Sequence, residues 1–139
     1  MKIPARYDQV APVCDFIAQA AARAGFDDDD VFQVQLACDE ACTNVIEHAY
    51  GEQEGQLEVS YTIKAKQFVV TIRDNGRPFD PSAVPSPSIA SGQPVNIETL
   101  EVGGLGLHFM RKLMDEVTFA FDKNRGNLLT MIKRLPNDE

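Results

Sequence analysis

Positive charge is scarce in this sequence: its 139 residues carry 13 Lys and Arg against 21 Asp and Glu, a formal net charge of -8. That balance repels a phosphate backbone, whose recognition needs clustered cations, and so argues against a nucleic-acid partner. Long apolar runs are missing as well. No stretch approaches the roughly 20 apolar residues that span a bilayer, and the opening Met1-Lys2-Ile3-Pro4-Ala5-Arg6 lacks the apolar run of a signal peptide. The expectation is a cytoplasmic protein with no membrane partner. Cysteine is sparse: Cys14, Cys38 and Cys42 are odd in number, and no paired Cys/His spacing accompanies them. All three fall inside helical apolar patterns, so buried free thiols are expected rather than disulfides or metal ligands. The length allows one domain, spanning 1–139, that buries about two thirds of its unfolded surface in a single core.

Residues 2 to 7 read as a short edge strand, a place where Pro4 is tolerated. Val10, Val13, Cys14, Ile17, Ala20, Ala21 and Ala24 recur at helical spacing, and Gly25 follows as a left-handed stop. Asp27 to Asp30 invite a metal reading, yet capping and the macrodipole at the start of the next helix account for them better. That second, long helix runs to Tyr50, and Gly51 ends it. Leu57, Val59, Tyr61 and Ile63 alternate with polar residues, Lys64-Ala65-Lys66 connects, and Phe68, Val69, Val70 and Ile72 complete a hairpin. From 81 to 102 the chain is rich in Pro, Ser and Gly, including Pro85, Pro87, Gly92 and Pro94. It reads as a lid or as a tolerated insertion. Leu107, Met110, Leu113 and Met114 mark a third helix. Val117, Phe119 and Phe121, a turn at Lys123-Asn124-Arg125-Gly126, and Leu128 to Leu135 then give a second hairpin. This order predicts an α+β fold, with a mixed, mostly antiparallel sheet covered by helices on one face.

Three stretches carry candidate chemistry. In the long helix Glu40 and Asn44 lie four residues apart and share one face, while Val34, Cys38, Ala41, Val45 and Ala49 form a separate apolar stripe. Alone, the polar face reads as a solvated side rather than as a site. The second strand runs into Arg73-Asp74-Asn75-Gly76-Arg77-Pro78-Phe79-Asp80-Pro81, in which Asp74 taken singly is a turn carboxylate. Gly103-Gly104-Leu105-Gly106-Leu107 opens the third helix, where amide N–H groups can converge on an anion without Cβ obstruction.

Taken in order, these stretches resemble the three boxes of the ATPase superfamily shared by gyrase, histidine kinases and MutL, with its Bergerat-type ATP-binding fold. Within it, Glu-Ala-Cys-Thr-Asn-Val-Ile-Glu-His-Ala-Tyr, Asp-Asn-Gly-Arg-Pro-Phe-Asp-Pro and Gly-Gly-Leu-Gly-Leu resemble the anti-sigma-factor serine/threonine kinases of the RsbW type. The likeness covers essentially the whole chain, including the closing Asn127 to Leu135.

The resemblance implies ATP and Mg²⁺ as cofactors, with Asn44 offering its amide oxygen to the metal. Asp74 would accept a hydrogen bond from the adenine amino group, Gly76 would let the backbone approach the base, and Thr130 would support that contact. Gly103, Gly104, Leu105, Gly106 and Leu107 would hold the phosphates. Glu40 would be the general base acting on a seryl hydroxyl, where sensor histidine kinases usually carry an amide residue. The only histidines, His48 and His108, fall inside the boxes, so a phosphoacceptor must come in trans. The partners implied are an anti-anti-sigma (STAS) protein to phosphorylate and a sigma factor to sequester, and a homodimer is compatible with both. One departure stands out: kinases of this type generally use a basic residue in or near the lid, and none occurs between Arg77 and Arg111. Two other readings follow, a non-catalytic ATP-binding module and a detached catalytic half of a histidine kinase.

Overall fold

A computed structural model describes residues 1–47, 55–76 and 104–136. Five strands, β1 (Lys2–Pro4), β2 (Gln56–Lys64), β3 (Gln67–Asp74), β4 (Glu116–Asp122) and β5 (Gly126–Arg134), form one sheet in the order β1-β2-β3-β5-β4. The sheet, expected to be mostly antiparallel with some mixed pairing, is antiparallel at every described pairing. The hairpins β2–β3 and β4–β5 account for two of these four pairings, because each tight turn reverses its chain. Between Lys64 and Gln67 the turn places Ala65 and Lys66 at φ 52 and 62, the doubly left-handed geometry that matches strand twist. The edge strand expected over residues 2 to 7 stops at Pro4. Tyr7–Gln9 form a 3-10 turn instead, nucleated by bonds from Arg6 N to the Pro4 carbonyl and Gln9 N to the Arg6 carbonyl.

Three helices pack on one face: α1 (Val10–Ala24), α2 (Asp28–Val45) and α3 (Gly104–Leu113). The start of α2 is chemically explicit. Asp27 is extended, its carboxylate accepts from Asp30 N at 2.8 Å, and Asp28, Asp29 and Asp30 occupy the positive end of the dipole. Such a cap contributes about 1 kcal/mol. Helix α1 ends as its sequence implies, with Gly25 at φ 116 while Gly25 N and Phe26 N satisfy the carbonyls of Ala22 and Ala21.

The strand alternation then decides what the helices cover. Leu57, Val59, Phe68, Val70, Ile72, Leu129 and Met131 point to the helical layer and are buried with Val34, Cys38, Ala41 and Val45 of α2. Phe68 anchors this core, stacked on Tyr61 at 5.6 Å between ring centroids and met edge-on by Phe26 at 5.8 Å. Lys133 Nζ donates to the Leu113 carbonyl at 2.9 Å and to Gln33 Oε1 at 3.0 Å. One cation thus closes the end of α3 and ties α2 and α3 to β5.

Candidate functional site

Two side chains on α2 depart from what a solvated helix face would show. Asn44 is only 3% exposed, and its Oδ1 is buried without a hydrogen-bond partner among the described residues. An amide oxygen orphaned in this way costs about 1–3 kcal/mol unless something outside the chain reaches it. One turn earlier Glu40 is half-buried, and burial, followed by the like charges of Asp39 and Glu47, pushes its pKa up. A carboxylate so placed is a stronger base than an exposed one. The α2 stripe at Val34, Ala37, Cys38, Ala41 and Val45 is buried in the core, which fixes the helix rotation and with it the placement of both polar groups.

The end of β3 supplies the second group. Asp74 is 4% exposed and accepts at Oδ1 from Gly76 N at 2.9 Å and from Asn127 Nδ2 at 2.8 Å. Both of these hydrogen bonds fall on one carboxylate oxygen, which holds the group rigidly at the end of β3. Burial raises the pKa of Asp74, and the two hydrogen bonds offset only part of that rise. A cleft of about 260 Å³ touches Asp74 and Asn75 but is lined by Lys2, Glu58 and Arg73. Those three form a cross-strand row on the sheet's other face, so the cleft lies behind the carboxylate.

Thr130 is not beside Asp74. Antiparallel register pairs it with Thr71 and Thr118, whereas Asp74 pairs with Asn127. Side chains alternate faces along a strand, and Thr130, three residues beyond Asn127, therefore projects from the opposite side of the sheet. The residue that supports Asp74 is Asn127, which the sequence reading did not single out. Its signal was present: Asn127, Leu129 and Met131 alternate, which puts a polar residue at the head of a buried stripe. Gly126 belongs to the same corner. At φ 82, its added Cβ would lie 2.0 Å from the Asp74 carbonyl oxygen and 2.9 Å from Asn75 Oδ1, so only glycine lets the β4–β5 turn close on the end of β3.

The third group opens α3, which starts at Gly104 and packs along α2. Gly104, Leu105 and Gly106 form its first turn, where amide N–H groups lack intrahelical partners. The Leu107 side chain belongs to the core at 3% exposure, so any contact it makes with a phosphate falls to its backbone. Gly103, Arg77, His48 and the proposed lid at 81–102 lie outside the described residues.

An orphaned amide oxygen and a half-buried carboxylate on one helix, a carboxylate braced at a strand end and a glycine-opened helix make a set of acceptors and free amides suited to a nucleotide. The profile of the histidine kinase-like ATPase domain matches residues 3–133. The chain belongs to that family, and within it to the serine-protein kinases of the RsbW type. It is 34% identical to the serine-protein kinase RsbW of Bacillus cereus (strain G9842) over 130 residues, which is 94% of this chain and 81% of the relative. It is 33% identical, with the same coverage, to the RsbW of Bacillus anthracis (strain CDC 684 / NRRL 3495). The histidine kinase domain of the E. coli osmosensor EnvZ aligns over 78% of this chain and 68% of its own, at 16% identity and a TM-score of 0.49, too distant to bear on function. Among the described residues no helix is long and apolar enough to cross a membrane.

Proposed function

We propose that this chain is an ATP-dependent serine kinase that phosphorylates an anti-anti-sigma (STAS) protein and holds a sigma factor when that protein is phosphorylated. The observation that carries the reading is the α2 pair: Glu40, with its pKa raised by burial, one turn before Asn44, with its buried, unpartnered Oδ1. Asp74 Oδ2 accepts from the adenine amino group, which selects adenine over a base presenting an acceptor there, while Asn127 and Gly76 N hold the other oxygen. The first turn of α3 receives the phosphates on its free N–H groups. Glu40 takes the proton from the partner's seryl hydroxyl as the oxygen forms its bond to the γ-phosphorus and the bond to the ADP oxygen breaks. Asn44 Oδ1 suits Mg²⁺, a hard ion that needs few protein oxygens, and when bound the ion would neutralise charge on the phosphates. Residues 81–102 serve in this reading as the lid over the nucleotide.

The lack of any Lys or Arg between Arg77 and Arg111 favours a second reading, in which nucleotide only sets partner choice. Incubation with γ-labelled ATP and a STAS protein separates the readings. Acid-stable phosphoserine on the partner supports the kinase. Acid-labile phosphohistidine instead identifies half of a histidine kinase, and nucleotide-dependent partner binding without label leaves the binding module.

A further inference from the structure

The face of the sheet turned away from the helices gathers positive charge at one corner. Register sets Lys2 of β1 beside Glu58 of β2, and Glu58 beside Arg73 of β3, so the three side chains stand in one row across the strands. Arg125 joins them from the β4–β5 turn, because Gly126 lets that turn close on the Asp74 carbonyl at the end of β3. All four line the cleft of about 260 Å³. Leu57 and Asp74 border it as well, but their side chains are buried towards the helical layer, so what they present to the cleft is main chain. Three cations thus meet the single carboxylate of Glu58, in a chain whose net charge is -8.

The ion pair of Glu58 is with Lys2, at 3.9 Å, and among the described residues neither arginine has an ion-pair partner. Asp122, in the same turn as Arg125, accepts from Asn124 N at 2.8 Å instead. Two guanidinium groups therefore line one cleft without a protein counterion, Arg73 half-buried on its strand and Arg125 exposed. Like charges so placed repel, and an anion between them reverses the sign of that interaction. We propose that this cleft is an oxyanion site for a phosphomonoester dianion, held by Arg73 and Arg125 with Lys2 as the third cation. Guanidinium forks match phosphate oxygens in pairs. Glu58 offsets one of the three cations, and a phosphomonoester, which carries about −1.5 to −2 at pH 7, matches the charge that remains better than a carboxylate does. The volume is many times what one water needs, so a phosphate fits together with part of the group that carries it. The site shares no side chain with the first turn of α3, where the proposed function puts the phosphates of ATP.

The test titrates the full chain, without nucleotide, with inorganic phosphate and with O-phosphoserine at constant ionic strength, following backbone amide and arginine Nε–H signals by NMR. Saturable shifts of the Arg73 and Arg125 signals are expected. Arg73→Gln and Arg125→Gln should each weaken phosphate binding about tenfold, whereas Lys64→Gln, which removes an exposed cation at the other end of β2, should leave it unchanged. Arg125 is exposed in a turn, so its variant reads the site without disturbing the core. Tighter binding of O-phosphoserine supports the site with an esterified phosphate as its ligand, and equal binding supports it with the free ion. Shifts that chloride reproduces at the same ionic strength overturn the proposal, as does undiminished phosphate binding in Arg125→Gln. Phosphate held only by the first turn of α3 would move the Gly104 and Gly106 amides and leave both arginines unmoved, which overturns it too.

Discussion

Replacing Asp74 by Asn should separate binding from stability, because both hydrogen bonds that brace this carboxylate fall on one of its oxygens. Oδ1 accepts from Gly76 N and Asn127 Nδ2, and an asparagine oxygen can accept both. The variant's NH₂ would then stand where the proposed adenine contact falls, and a donor would meet the adenine amino donor. Losing one hydrogen bond to a charged acceptor costs about 1.5–3 kcal/mol, which weakens ATP binding roughly 10- to 150-fold. Stability should move the other way. Burial raises the Asp74 pKa in the folded state, so this carboxyl favours folding only below its unfolded pKa of about 3.9, and that contribution is lost as pH rises through the folded value. Neutral Asn removes the cost of the buried charge, so its stability relative to the parent should improve from about pH 4 towards neutrality. Isothermal titration with ATP and thermal melts across that range measure the two effects on one preparation. Unchanged ATP affinity would refute the adenine contact, and a variant that melts well below its parent at pH 7 would refute the burial argument.

Glu40→Gln keeps size and hydrogen bonding but removes the base, so ATP affinity should hold within a few fold while transfer to serine falls by about 10² to 10⁴. Because burial raises the Glu40 pKa, the acid limb of the parent's rate should lie above the ordinary glutamate value of about 4.3, and the pH–rate profile of the variant should lack it. Asn44→Ala should abolish the Mg²⁺-dependent part of ATP binding; titration with and without the metal tests this, and equal gains from magnesium in both proteins would count against the assignment. Gly126→Ala forces a Cβ to 2.0 Å from a carbonyl oxygen at a left-handed φ. It should cost more than about 2 kcal/mol and lower the melting temperature by roughly 5 °C or more, as seen by circular dichroism.

Local chemistry was legible in the sequence because it depends on spacing along the chain. The α1 stop at Gly25, the Asp27 cap, the buried stripe of α2 and both hairpins follow from periods of 3.6 and 2 and from turn residues, which operate within a few positions. Placing Glu40 and Asn44 together needed nothing more, since four residues make one helical turn. What required the tertiary structure was everything set by strand register and by packing between distant segments. Asp74 and Asn127 are 53 positions apart and meet only because β5 pairs with β3 in one register, and the same register sends Thr130 to the far face. Only burial in the folded chain turned the Asn44 amide from a solvated group into an orphaned acceptor. The packing of α1 on α2 likewise needed the tertiary structure, because a sequence pattern shows which face of a helix is apolar but not which other helix it will touch.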